Sequence, residues 1–283
     1  SYPKSGNTWI RSIINQILFL NPEDKKNILS SLHKSISGYP TLRHFAKLGS
    51  SFTKKEDFQN TDNIIKNWEI SQNEINKNKK LKFFKTHNIF TSINLEGKNY
   101  NFTNLKNTLG VIYIVRDPRN VITSLKNHFF FKSYDQTFEM MIDEKRWIGT
   151  SEGKVPQALS SWDQHFNAWS FFPKNYILFK YEELLSDTKK QIKRLIKYLQ
   201  QVTNINVDEK TINKIFLNTK FSNFKKLEKK GLFEEKAIHP EIKEKKDFFY
   251  LGPKNNYSKL LDDKTRYKIE KHFEATMKKI GYL

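Results

Sequence analysis

The stretch Tyr2-Pro3-Lys4-Ser5-Gly6-Asn7-Thr8-Trp9 runs straight into Ile10, Ile13, Ile14, Ile17 and Leu18 at helical spacing, with Pro22 just past them. A loop that enters a helix start offers free backbone N–H groups and the positive end of the helix dipole, which is the chemistry of an anion site. Its single glycine, Gly6, follows its lysine, Lys4. The nucleoside-triphosphate loop G-x-x-x-x-G-K-[ST] has the reverse order, with a hydroxyl beside the lysine for magnesium. The residues here therefore predict an anion other than magnesium-bound ATP.

Three further groups carry chemistry. Lys85-Thr86-His87 ends the run Lys82-Phe83-Phe84, which reads as a short strand. Arg116 follows the apolar run Val111–Val115, and Ser124 lies eight positions later. Tyr181, with Glu182-Glu183-Leu184, follows the strand-like Tyr176–Phe179. All sit at carboxyl ends of expected strands, where open α/β sheets bind ligands.

The elements that must position these groups alternate. Val111–Val115 reads as a strand buried on both faces. Asp117 and Pro118 then give a cap and a first-turn proline for a helix buried through Val121, Ile122, Leu125 and Phe129. Pro156–Ser170 repeats the helical pattern with Leu159, Trp162, Phe166 and Trp169, and Asp187 caps a helix carrying Ile192, Leu195, Ile196 and Leu199. One last helix is expected over Asp262–Ile280, through Ile269, Phe273, Met277 and Ile280. Asn27–Lys80 reads as helical pieces over the core, Asn94–Thr108 as a surface excursion, and lysine-rich Phe221–Phe249 as a long mobile loop. The pattern predicts an α/β fold: a single three-layer domain over 1–283, with a central parallel sheet flanked by helices.

Composition narrows the function. The 283 residues contain no cysteine, which excludes disulfides and thiolate metal sites and points to a reducing compartment, the cytoplasm. No apolar run reaches the ~18 residues of a membrane span. The net charge of +20 invites a nucleic-acid reading, but it comes from 43 lysines and only seven arginines. Lysine spread over every surface is a solvated coat, whereas a nucleic-acid face concentrates arginine. The histidines lack metal-ligand spacing, so no metal is expected. The chain starts inside its own loop, without an initiator methionine, and reads as a fragment lacking the strand before that loop.

Taken together, the four motifs resemble the sulfotransferases that use 3′-phosphoadenosine 5′-phosphosulfate (PAPS), of the cytosolic type with a P-loop-containing nucleotide-binding fold. Tyr2–Trp9 looks like that family's 5′-phosphosulfate loop. Val115-Arg116-Asp117-Pro118-Arg119-Asn120-Val121 with Ser124 is similar to its 3′-phosphate motif. Lys85-Thr86-His87 matches the strand end bearing the catalytic histidine, and Phe179–Leu184 the tyrosine segment near the adenine.

The resemblance implies two anchors on one nucleotide, which accounts for two distant basic motifs. Lys4, Ser5, Gly6, Asn7 and Thr8 would cradle the 5′-phosphate, and Arg116 with Ser124 the 3′-phosphate. Trp9, Tyr181, Thr219 and Phe221 would surround the adenine. His87 would act as base in an in-line sulfonyl transfer, with Lys4 and Lys85 stabilising developing charge. The acceptor would be a small hydroxyl or amine compound, and 3′,5′-ADP the product. Aromatic residues in Lys34–Phe45 and Phe129–Trp147 suggest an apolar or aromatic acceptor.

Plainer readings stand beside these. His87 alone is more often a structural histidine, and its place two residues after Lys85 favours the base. Trp9 could be core, His128 packs among phenylalanines, and Arg119 reads as a surface ion pair. The late Arg-Lys-Gly clamp of the family is missing from Phe249–Tyr257, which keeps Gly252 and leaves Lys254 as the candidate replacement. The Thr-Val dimer motif is not recognisable in Lys259–Glu270, so the oligomeric state stays open. The alternatives are a P-loop kinase, which would need the missing magnesium machinery, and a non-catalytic adenine-nucleotide binder, which has no need of His87.

Overall fold

The computed structural model describes residues 1–21, 24, 27–151, 153–233, 235, 237–238 and 245–283, and Pro22 lies outside them. The chain divides into two compact units. One comprises Ser1–Tyr2, Ser37–Tyr113 and Ile142–Tyr176; the other Pro3–Ile36, Ile114–Met141 and Ile177–Leu283.

In the second unit the opening loop enters a helix at Asn7–Leu18 that buries Ile10, Ile13 and Ile14. The strand Gly110–Val115, whose last three residues are buried, pairs with Asn175–Lys180, and each of these strands begins in residues of the first unit and ends in residues of the second. Its exit is set by local chemistry. Asp117 Oδ1 accepts the Arg119 amide at 2.9 Å, and Pro118 opens the helix Pro118–His128, where its missing N–H costs nothing. Val121, Ile122 and Leu125 point inward, while Phe129 just past the helix is half-buried. Asp187 caps Thr188–Leu199 as expected, and Ile192, Leu195, Ile196 and Leu199 are buried. The final helical stretch is two helices, Asp263–His272 and Glu274–Ile280, meeting at Phe273, and all four expected core residues are buried.

Two expectations are corrected in this unit. Phe221–Phe249 is not one long loop over its described residues. Phe221–Lys229 is a helix whose Phe224 and Leu227 join Ile28, Leu29, Leu32, Phe233 and Phe249 in one buried cluster. Apolar residues at every third position drive it, and the lysines between them face outward. Residues 234, 236 and 239–244 of that segment lie outside the described residues. Arg119 is also no surface ion pair. It is 6 % exposed, donating Nε to Asp117 Oδ1 at 2.9 Å, Nη2 to Asp117 Oδ2 at 2.7 Å and Nη1 to Glu270 at 2.7 Å.

In the first unit, Phe83–Lys85 pairs with the short strand Ile36–Gly38, and the Tyr39 amide donates to the Lys85 carbonyl at 2.8 Å. The helical pieces expected before Lys80 bury residues of their own, Phe45, Ile64, Ile65 and Trp68. The asparagine-rich stretch is an antiparallel hairpin, Ser92–Leu95 with Lys98–Asn101, followed by buried Phe102. The helix expected from Pro156 starts at Trp162, because Ser161 caps it and Gln157–Ala158 is paired with Trp147–Ile148. No helix among the described residues is long and apolar enough to cross a membrane.

The Arg119 correction is testable by urea denaturation. Arg119→Ala leaves the Asp117 carboxylate buried without its partner, and the expected loss is about 3–5 kcal/mol. A loss below about 1 kcal/mol, as for an exposed pair, would contradict this placement.

Candidate active site

The opening loop is shaped by backbone geometry first. Lys4 adopts φ +64° and Gly6 φ +106°. A Cβ on Gly6 would stand 2.7 Å from Tyr181 Cδ2, so the position requires glycine for both its conformation and the ring above it. Lys4 holds a left-handed conformation without that freedom, the kind of strain that persists where the surroundings fix it.

Arg116 closes the loop from the other side. It is 5 % exposed, and its Nη1 donates to the Lys4 carbonyl at 3.1 Å and to Ser124 Oγ at 3.2 Å. Its guanidinium carbon lies 4.1 Å from the centre of the Tyr181 ring, and Trp9 meets that ring edge-on at 5.8 Å. Among the described residues, buried Ser5 Oγ, Trp9 Nε1 and Arg116 Nε have no hydrogen-bond partner. Buried polar atoms are seldom left unpaired, so the cradle fits an anionic ligand carrying several acceptors. Asn7 and Thr8 form the first helical positions behind it.

Lys4 Nζ sits 3.4 Å from the centre of the Phe248 ring. Burial and the nearby Arg116 guanidinium bring the Lys4 ammonium down to about 7. Phe248 is held there by Glu228, a buried carboxylate that accepts the Phe248 amide at 2.7 Å and the Phe249 amide at 3.1 Å. Thr219 is buried at the end of the helix Glu209–Asn218, its hydroxyl donating to the Ile215 carbonyl at 2.8 Å. Phe221 and Gly252 are brought together: Gly252 has φ +55°, and a Cβ there would lie 2.3 Å from the Phe221 ring. Lys254 is exposed, whereas its neighbour Asn255 is buried and bonded to Ser124.

Lys85 and His87 belong to the other unit, at the end of their strand. His87 Nδ1 lies 2.7 Å from the Ser1 carbonyl. A carbonyl only accepts, so Nδ1 carries the proton and Nε2 keeps a free lone pair. Nε2 has no hydrogen-bond partner among the described residues. The strand end is fixed further by the His87 amide on Gln157 Oε1 at 3.3 Å and by Trp169 Nε1 on the Asn88 carbonyl at 2.9 Å. Behind it, Tyr113 donates to His165 Nδ1 at 2.7 Å, and His165 Nε2 donates to the His87 carbonyl at 3.3 Å. Burial, then the Lys85 charge, hold the His87 imidazolium well below its usual range, and burial does the same to His165.

Sequence reasoning did not find Asn255, Phe248, Glu228 or His165. His165 carried a faint signal, a histidine on the apolar face of Trp162–Ser170. The others are joined to the site only by tertiary contacts. Among the described residues no three His, Asp or Glu side chains gather as metal ligands.

A family model for the sulfotransferase domain matches residues 1–281, and the chain belongs to that family of transferases. It is 24 % identical over 296 residues to the luciferin sulfotransferase of Photinus pyralis, covering 99 % of this chain and 70 % of that protein. It is 29 % identical over 117 residues to sulfotransferase 2A1 of Homo sapiens, a match covering 41 % of this chain and 38 % of that protein. Among solved structures it is similar to a retinol dehydratase in complex with androsterone and the inactive cofactor PAP, with a TM-score of 0.61 at 18 % identity, covering 98 % of this chain and 79 % of that one. It is likewise similar to mouse sulfotransferase SULT7A1 complexed with PAP, with a TM-score of 0.56 at 18 % identity, covering 98 % and 82 %. The fold is the P-loop-type α/β fold of these proteins.

The buried histidines set a pH dependence. The unfolded chain protonates them near 6.5, while His87 and His165 in the folded chain resist protonation until well below that. The unfolded state then binds more protons, so stability falls as pH drops below about 6.5, by up to ~1.4 kcal/mol per pH unit for each site. The melting temperature is expected to fall between pH 7.5 and pH 5, and less steeply in His87→Gln. A flat profile over that range would contradict the buried neutral imidazoles.

Proposed function

We propose that the chain, as one sulfotransferase domain over 1–283, moves a sulfonate from PAPS to the hydroxyl or amine of a small acceptor, leaving 3′,5′-ADP. The observation that carries the reading is the single Arg116 nitrogen that bonds both the Lys4 loop and Ser124. That joins the two motifs expected to hold the 5′ and 3′ phosphates. The unpaired Ser5 Oγ, Trp9 Nε1 and Arg116 Nε give such a ligand donors it can use.

PAPS enters as the co-substrate that supplies the sulfonate. The acceptor's lone pair forms a bond to sulfur while the bond from sulfur to the 5′-phosphate oxygen breaks, and that oxygen keeps the electron pair. His87 Nε2 takes the acceptor's proton, and its Nδ1–H bond to Ser1 keeps the ring in the tautomer that can do so. Its depressed pKa keeps it unprotonated at neutral pH. Lys4, at about 7 in the empty site, would be driven to its cationic form by an incoming anion and would stabilise charge on the departing oxygen. Lys85 would add a second cation that stabilises the charge developing on the leaving phosphate and the sulfonyl oxygens. The aromatic group Tyr39, His44, Phe45 and Phe84, beside the strand carrying Lys85, supports an apolar or aromatic acceptor. The absence of cysteine supports a reducing, cytoplasmic setting.

Thermal shift with 3′,5′-ADP against magnesium-ADP tests the donor. At ~100 times its Kd a ligand stabilises by about 2.7 kcal/mol, raising Tm by roughly 5 °C in a chain of this size. The shift is expected with 3′,5′-ADP. A shift with magnesium-ADP alone would return the chain to phosphoryl transfer. His87→Ala should lower turnover with PAPS on the order of 10²–10⁴-fold while 3′,5′-ADP still binds. Unchanged turnover would remove His87 as the base.

A further inference from the structure

The segment after Gly252 departs from the family's basic clamp, and its Lys254 is exposed. The buried group that reaches the anion motif is Asn255. We infer that Asn255 is the positioning residue of the 3′-phosphate subsite, acting by freeing the Ser124 hydroxyl proton for the phosphate. The inference rests on the donor reading above.

Asn255 is 9 % exposed and fully engaged. Its Nδ2 donates to the Asn120 carbonyl at 2.9 Å and to Ser124 Oγ at 3.1 Å. Because the Asn120 carbonyl can only accept, the amide nitrogen must face it, and Ser124 therefore receives a donor. The opposite end, Oδ1, lies 2.8 Å from the Thr123 hydroxyl. The backbone amide of Tyr257 bonds to Asn120 Oδ1 at 2.9 Å and fixes the segment on the helix.

The consequence falls on Ser124. A hydroxyl has two acceptor lone pairs and one proton. Ser124 Oγ accepts from Arg116 Nη1 at 3.2 Å and from Asn255 Nδ2 at 3.1 Å, so both lone pairs are occupied. A helical serine ordinarily turns its proton back to the carbonyl four residues earlier. Here that carbonyl, on Asn120, already faces the Asn255 amide and lies 2.8 Å from the Thr123 hydroxyl. Among the described residues nothing accepts the Ser124 proton. Asn255 thus turns Ser124 into a committed donor beside the Arg116 guanidinium, the arrangement a phosphate dianion takes up. An uncharged residue of this chain contributes where the family's late clamp contributes charge.

The test is calorimetric titration of 3′,5′-ADP and 5′-AMP, which differ only in the 3′-phosphate, on the unaltered chain, Asn255→Ala and Asn255→Asp. The unaltered chain is expected to prefer 3′,5′-ADP. Asn255→Ala should weaken 3′,5′-ADP about tenfold, as for one lost charge-coupled hydrogen bond, with 5′-AMP unchanged. Asn255→Asp keeps the shape, captures the Ser124 proton and repels the phosphate, so its loss should be larger. On a Ser124→Ala background, Asn255→Ala should add nothing. Equal weakening of both nucleotides in a folded variant would make Asn255 a packing residue and overturn the inference. So would unchanged 3′,5′-ADP affinity. If Asn255→Ala does not fold, the isosteric Asn255→Asp decides between the same outcomes. An unaltered chain with no preference for the 3′-phosphate fails the donor reading itself, and the inference with it, before any variant is compared.

Discussion

Arg116 is a buried cation whose nearest partners are not a carboxylate but two oxygens, the Lys4 carbonyl and Ser124 Oγ, with the face of Tyr181 beneath it. A guanidinium removed from water in this way is costly unless a counter-charge arrives. The carboxylates close by are otherwise engaged: Asp117 is spent on Arg119, and Glu182 on the Asp117 amide and Tyr282. The loop, the helix Pro118–His128 and the tyrosine are therefore arranged around a buried guanidinium that no carboxylate among the described residues hydrogen-bonds. Burial first, and then the Arg116 field, depress the Lys4 ammonium. An anion here would relieve both residues together.

The histidine end obeys the opposite constraint. His87 is kept neutral, and each of its neighbours defines a direction for a proton. The Ser1 carbonyl fixes Nδ1–H, and the His165 imidazole, oriented by Tyr113, holds the backbone behind it.

Much of this was legible in the sequence where the chemistry is local. The Asp117-Pro118 pair announces its helix because a cap and a first-turn proline act on adjacent atoms. The eight-residue step from Arg116 to Ser124 is readable for the same reason, since one strand end and two helical turns bring them together. What could not be read depends on partners far along the chain. Arg119 looked like a surface residue because its second acid, Glu270, is 151 positions away. The stretch from Phe221 looked mobile because lysines hid an apolar spacing whose partners, Ile28 to Leu32, lie near the other terminus. Lys254 is the candidate a sequence offers on charge alone, and the hydrogen-bond directions that bring in Asn255 are invisible without coordinates.

The central claim is that Arg116 couples the 5′ and 3′ anchors through one side chain. Arg116→Lys tests it most directly, because it keeps the charge and loses the planar fork that reaches both oxygens. Titration calorimetry on that variant should show 5′-AMP and 3′,5′-ADP both weakened, since the Lys4 loop loses its support along with Ser124. Weakening confined to 3′,5′-ADP would contradict the account and reduce Arg116 to a contact for the 3′-phosphate alone.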